Sequence, residues 1–192
     1  GAKVINMSFG KSYSPDKSVV DEAVKYAVSK DVLLVQAAGN DNADIDIAPN
    51  FPSRRYLSGE VASSYITVGA SGFVDDETLK AEFSNFGKTN VDVFAPGVNI
   101  NSTVPENNYK LENGTSMAAP VVTGLAALIR SYYPKLTAVQ VKEIILKSVV
   151  KVNHTITYLK DGSPVSVPFS DICVTGGIVN AYNALKLAAS YK

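Results

Sequence analysis

The sequence predicts an α/β fold, a parallel sheet with helices on both faces, and three observations carry that prediction. The runs VLLVQAAGN (32–40), SYITVGAS (64–71) and VDVFAPG (91–97) are apolar without alternation, the pattern of strands buried on both faces. A segment with apolar residues at helical spacing occupies the first crossover, between VINMSFG (4–10) and VLLVQAAGN. The chain has 192 residues, 46% hydrophobic and 19% charged, which suits a single domain able to bury a core of its own.

Taken in order, the first strand is VINMSFG, an apolar run closed by glycine. Ser14-Pro15-Asp16 then reads as a helix start, with a capping hydroxyl, a proline at the first helical position and an early acid. Val20, Ala23, Val24, Ala27 and Val28 form the apolar stripe of that helix, with Asp21, Glu22, Lys25 and Lys30 on its other side. The three buried runs follow. A long helix is predicted over 115–133, stopped by Pro134, and Thr137 with Gln140 forms a capping box for the next helix. ITYLK (156–160) and SPVSV (163–167) flank Asp161-Gly162, a hairpin signal. Gly176-Gly177 leads into a closing helix over about 180–190. No internal repeat, low-complexity linker or second domain is evident, so residues 1–192 are read as one domain.

Composition excludes several functions. Eighteen basic residues balance 18 acidic ones, so no nucleic-acid or anionic-membrane footprint exists. No apolar run approaches the roughly 20 residues that span a bilayer. The single cysteine, Cys173, allows neither an internal disulfide nor a cysteine-based zinc site, and its DICV context suits a buried thiol. Neither a G-x-G-x-x-G turn nor a P-loop follows a predicted strand, which argues against a dinucleotide or phosphate site. Asp41, Asp44 and Asp46 lack the glycine and terminal glutamate of a calcium loop and read as a solvated acidic loop. No metal or cofactor is expected.

The candidate chemistry lies in NGTSMAAPVVTG (113–124). Ser116 falls at the start of the long helix, where unpaired N–H groups and the positive dipole end favour developing negative charge. Gly114 lets main chain approach a ligand, Ala118 and Ala119 leave room above the first turn, and Gly124 permits close packing one turn further on. A plain helix cap with small neighbours for close packing is the commonest reason for such a run, and accounts for Gly-Thr-Ser taken alone.

The whole string decides between these. GTSMAAP resembles the nucleophile motif of the subtilisin-like serine proteases, and VINMSFG, VQAAGN, ITVGAS, FSNFG, VDVFAPG and INST are similar to that family's motifs in their order. The similarity runs from Gly1 to about Val150 and resumes at TGGIVNAYNAL (175–185). The resemblance implies a subtilisin-like three-layer α/β/α fold and an acyl-enzyme on Ser116. It implies Asn40 as side-chain donor to the oxyanion, with the Ser116 N–H as the second donor. Ser8, Phe9 and Gly10 would offer main-chain groups to an extended peptide. Ala37, Ala38 and Gly39 would form the facing wall, and Gly114 and Thr115 would border the substrate. Residues 41–60, polar and irregular, would edge the specificity pocket.

One part of the pattern is missing. The family orders its triad Asp, His, Ser, yet no histidine precedes Ser116. The only one, His154, lies in VNHTITY, which has no likeness to the family's His-Gly-Thr, and reads as an exposed or capping histidine. No Asp-Thr-Gly or Asp-Ser-Gly occurs, and Asp92 belongs to a scaffold strand. The expectation is the carboxy-terminal portion of a subtilisin-like catalytic domain, an incomplete fold lacking the upstream Asp and His segments and inactive alone. Its expected partners are a peptide or protein substrate, the missing amino-terminal part and, through an uncovered edge of VINMSFG, a second copy. The resemblance places the parent outside the cytoplasm or in the cell envelope. The alternative is a non-catalytic peptide-binding module.

Overall fold

The computed structural model describes residues 1–160 and 162–191. A six-stranded sheet organises them. It comprises β1 (Val4–Met7), β2 (Leu33–Ala37), β3 (Tyr65–Ser71), β4 (Val93–Pro96), β7 (Val150–Lys151) and β10 (Gly177–Ile178), in the order β1-β2-β3-β4-β10-β7. All neighbours are parallel except the β10–β7 pair. Two antiparallel hairpins lie outside it, β5 (Ile100–Val104) with β6 (Asn108–Glu112), and β8 (Thr155–Lys160) with β9 (Ser163–Pro168).

Helices α1 (Lys17–Ser29), α2 (Thr115–Tyr132), α3 (Ala138–Lys147) and α4 (Ala181–Ala188) cover the sheet. Strand side chains alternate between its faces. Val35, Val68 and Val93 pack with Val122, Ile129, Ile144 and Ala184 on the face of α2, α3 and α4. Met7, Leu34 and Tyr65 pack with Val24 of α1 on the opposite face. A third cluster, around Phe94, Ile156, Phe169 and Cys173, seats the β8–β9 hairpin. Every residue of β2 and β3 is buried, which is why those runs show no alternation. The capping box at Thr137–Gln140 forms, with both of its hydrogen bonds present. Asn180 caps α4, its side chain accepting from Asn183 N–H. Cys173 is buried and free.

Several expectations need correction. Ser14 does not cap α1: the helix starts at Lys17, Asp16 occupies the N-cap without a side-chain bond, and Pro15 lies in the preceding turn. Asp21 is buried, not solvated. Its carboxylate accepts from Lys17 Nζ at 2.6 Å and Leu57 N–H at 2.7 Å, which compensates its loss of water. Gly124 is exposed with nothing within 4 Å of where a Cβ would stand, so it serves no close packing. Asp46 is no free acid either: it accepts from the Thr89 and Asn90 N–H groups and the Thr89 hydroxyl, tying two loops together. Asp92 precedes β4 and is buried against Arg54, 2.6 Å away, while accepting from Thr67 N–H. The β5–β6 hairpin was not anticipated. Asp161 of the expected hairpin turn lies outside the described residues.

Candidate active site

Parallel sheets bind ligands beyond the carboxyl ends of their strands, and here three such ends converge on the amino end of α2. Gly114 N–H donates to Gly97 O just after β4, at 2.8 Å, which docks the helix start onto the sheet. The chain passes Gly114 at φ 154, ψ 157, a conformation open essentially to glycine. A Cβ there would meet Met117 Sδ at 3.3 Å.

Ser116 follows in the first helical turn. Its Oγ donates to Ser8 O, beyond β1, at 3.2 Å, and Ser8 Oγ donates to Ser116 O at 2.8 Å. Asn40, beyond β2, is fastened to the adjacent residue: its Oδ1 accepts from both Thr115 N–H and Thr115 Oγ1 at 2.9 Å. Thr115 Oγ1 in turn accepts from Gly39 N–H at 3.1 Å. With its oxygen committed, the Asn40 amide presents Nδ2, which donates to no group among the described residues, and the same holds for the Ser116 N–H. Asn40 and Ser116 line one cleft, so two uncommitted donors and the hydroxyl share it at a helix N-terminus, an arrangement suited to stabilising an oxyanion.

Ser116, Asn40, Thr115, Ser8, Phe9, Gly10, Ala37 and Gly39 all line one cleft of about 600 Å³. Two expected residues do not. Ala38 is fully buried, its carbonyl accepting from Asn50 Nδ2 and Asn85 Nδ2. Gly114 is buried behind the helix start. Ala118 and Ala119 also turn inward to the core and leave no space above the first turn. The 41–60 segment contributes Asp41, Ala43, Ile45, Ala48, Pro49 and Asn50 to the wall. It is joined to the opposite wall by paired main-chain bonds between Lys11 and Phe51.

Sequence reasoning missed Asn85. Its Oδ1 accepts from the Asp41 and Ala43 N–H groups at 2.9 Å, shaping the turn that presents Asn40. It crowds Gly39, at φ 102, so closely that a Cβ there would lie 2.3 Å from Asn85 Nδ2. FSNFG offers no local signal for it, since the main-chain groups that Asn85 holds lie 44 and 42 positions away.

His154 lies elsewhere, in a depression with Lys151, Ser170 and Thr175. Its Nε2 is 2.9 Å from Asp75 Oδ1 and its Nδ1 is 3.0 Å from Thr155 O. These two acceptors raise its pKa above the ordinary histidine value, the Thr155 carbonyl first and Asp75 next. No histidine lines the cleft at Ser116. Among the described residues no three His, Cys, Asp or Glu side chains gather as a metal site, and no helix is long and apolar enough to cross a membrane.

Known proteins share this architecture. The family model described as the subtilase family, peptidase S8, matches residues 1–166. The thermostable alkaline protease of Halalkalibacterium halodurans is 38% identical over 161 residues, 84% of this chain and 38% of that protein. The thermophilic serine proteinase of Bacillus sp. (strain AK1) is 36% identical over 185 residues, 96% of this chain and 38% of its own length. Subtilisin BL of Lederbergia lenta is 35% identical over 158 residues, 82% of this chain and 53% of that protein. The chain therefore spans between 38% and 53% of these relatives. Among solved structures, a protease from Pseudoalteromonas arctica PAMC 21717 superposes with TM-score 0.73 at 30% identity, over 97% of this chain and 51% of that one. The structure of subtilase cytotoxin SubAB assembly gives TM-score 0.74 at 26% identity, over 97% of this chain and 58% of that one. On the motif order, the sheet and these matches together, the chain belongs to the subtilase family of serine proteases.

Proposed function

We propose that this chain supplies the nucleophile and oxyanion half of a serine endopeptidase whose complete form hydrolyses peptide bonds through an acyl-enzyme on Ser116. Ser116 Oγ attacks the scissile carbonyl, and the Asn40 amide with the Ser116 N–H receives the oxyanion. The peptide runs extended between Ser8–Gly10 and the Ala37–Gly39 wall. What supports the reading is one observation: the Thr115 clamp on Asn40 Oδ1 leaves the amide donor uncommitted in the cleft that Ser116 also lines.

A serine hydroxyl needs a neighbouring base, and the only histidine of the sequence is engaged with Asp75 away from the cleft. We therefore assign the base and its orienting acid to an upstream part of the same domain, and the chain alone to an inactive state. The free outer edge of β1, which pairs only with β2 among the described residues, is the surface we assign to that part or, in its absence, to a second copy. The family resemblance supports a working place outside the cytoplasm or in the cell envelope. The empty base position also favours a second reading, a peptide-binding module that has lost catalysis.

Labelling with a fluorophosphonate separates these. The complete protein should label at Ser116 and lose the label on Ser116→Ala, and this chain should label only when the upstream part is supplied. A complete protein that binds peptide but never labels would establish the binding module. Robust hydrolysis by this chain alone, abolished by Ser116→Ala, would overturn its assigned inactivity.

A further inference from the structure

The first turn of α2 contains a gap that its own sequence creates. In an α-helix each carbonyl accepts from the N–H four residues on, and for Ser116 that position is Pro120, inside the helix. Proline has no N–H, and its ring crowds the carbonyl four residues earlier. The Ser116 carbonyl is thus deprived of its main-chain donor in the very residue that carries the hydroxyl and the N–H.

Ser8 fills the gap from outside the helix. Its Oγ donates to Ser116 O at 2.8 Å, across 108 positions of sequence. Asn6 Nδ2 donates to Ser8 Oγ at 2.8 Å, which occupies a lone pair of the hydroxyl and leaves its single proton for the carbonyl. The Asn6 amide is oriented in its turn by Thr123, which lies on the same helix beyond Pro120 and shares its hydroxyl proton between Asn6 Oδ1 at 2.9 Å and Ala119 O at 3.0 Å. Thr123, Asn6 and Ser8 form a strap that leaves α2 after the proline and returns to it before the proline.

We propose that the Ser8 side chain is a positioning residue for Ser116, standing in for the N–H that Pro120 lacks, with Asn6 and Thr123 orienting it. This role differs from the main-chain contacts Ser8 offers to a peptide, and it rests on the reading of Ser116 as the nucleophile. Without the strap, the Ser116 carbonyl turns to find water, and the hydroxyl and N–H borne by that residue turn with it. A misplacement of that kind lowers the rate of the chemical step more than it weakens substrate binding.

Two readouts on the complete protein test the strap. Ser116–Met117 is the one Ser-Met step in this sequence, so with carbonyl-13C serine and 15N methionine the signal lost on Met117→Leu reports the Ser116 carbonyl. Ser8→Ala should move that resonance and lower kcat roughly three- to tenfold, the worth of one net hydrogen bond, with KM little changed. Ser8→Thr, which keeps the hydroxyl, should retain both within about twofold, and Asn6→Ala should move both in the same direction as Ser8→Ala. Pro120→Ala restores a donor, so in that background Ser8→Ala should cost less than about twofold in kcat. A carbonyl resonance unmoved by Ser8→Ala, or a loss equally large in the Pro120→Ala background, would overturn the proposal. Hydrolysis that survives Ser116→Ala overturns instead the nucleophile reading, and with it the catalytic half of this one.

Discussion

Replacing Thr115 by valine removes one hydroxyl from a side chain that is only 1% exposed, with little change of shape. That hydroxyl donates to Asn40 Oδ1 at 2.9 Å and accepts from Gly39 N–H at 3.1 Å, while the Thr115 N–H bond to Asn40 survives the change. Two consequences separate. The Gly39 N–H loses its acceptor in a partly buried position, a cost of about 1–3 kcal/mol, or roughly 2–12 °C in Tm for a protein of this size. The Asn40 amide keeps one anchor of two and gains freedom to swing. Deleting the equivalent donor altogether costs about 10²–10³ in kcat, a loss known from subtilisin itself rather than worked out from this geometry. Loosening it should cost less, about tenfold in kcat, with KM within about twofold. The assay is steady-state peptide hydrolysis by the complete protein, with a thermal melt of each variant. Because Thr115 acts through Asn40, Thr115→Val in the Asn40→Ala background should change kcat by less than about twofold. Losses that multiply would refute the clamp and give Thr115 an independent contact with the substrate.

Two further outcomes follow from charged groups. Asp92→Asn strands the Arg54 guanidinium, whose side chain keeps 15% exposure, and should cost about 3 kcal/mol, the lower end for a broken buried pair, or about 6–12 °C in Tm. A double change of Arg54→Met with Asp92→Asn, which removes the stranded charge and keeps an acceptor for Thr67 N–H, should cost less than the single one, and melts of the three proteins decide it. His154 has its pKa raised in the fold by the Thr155 carbonyl and Asp75. Its contribution to stability is therefore present in full below the unfolded value near 6.5 and fades as pH rises through the folded value. An NMR titration should show Asp75→Asn lowering the His154 midpoint, and an unmoved midpoint would remove Asp75 from the account.

What was legible in the sequence was legible for physical reasons. β2 and β3 are buried on both sides, so their runs carry no polar alternation and stand out. The Thr137–Gln140 box is a local motif whose partners lie three residues apart, and local motifs survive folding. Ser116 and Asn40 were assigned from strings typical of a family, and the fold ties Asn40 to Thr115, the neighbour of Ser116. Asp21 was misread because helical periodicity assigns a charge to solvent unless a partner is known, and its partner Leu57 N–H lies 36 positions away. The β5–β6 hairpin escaped because its strands are mostly exposed, so no buried face imposes a pattern. Its turn residues Glu106 and Asn107 take positive φ, a demand that Pro105-Glu106-Asn107 does not announce as Asn-Gly would. Asn85 and Asn6 carry the site through contacts 44 and 117 positions distant, and no local rule marks a residue by a partner that far off.

On the reading proposed, the cleft works with oriented dipoles. Its donors are an amide held by Thr115 and a main-chain N–H at a helix end, and neither gains nor loses a proton at neutral pH. Preorganised donors of this kind act in full as charge develops, because they need no reorganisation at that moment. Such a device can be folded and complete without the base that activates the hydroxyl. The two functions are carried by different physics, one by geometry fixed in strands β1 and β2 and helix α2, the other by a titratable group. His154 cannot serve as that group where it stands, with both ring nitrogens facing acceptors outside the cleft. On the reading proposed, the pH dependence of hydrolysis near neutrality therefore belongs to residues beyond these 192, while the depth of the oxyanion's stabilisation belongs to residues within them.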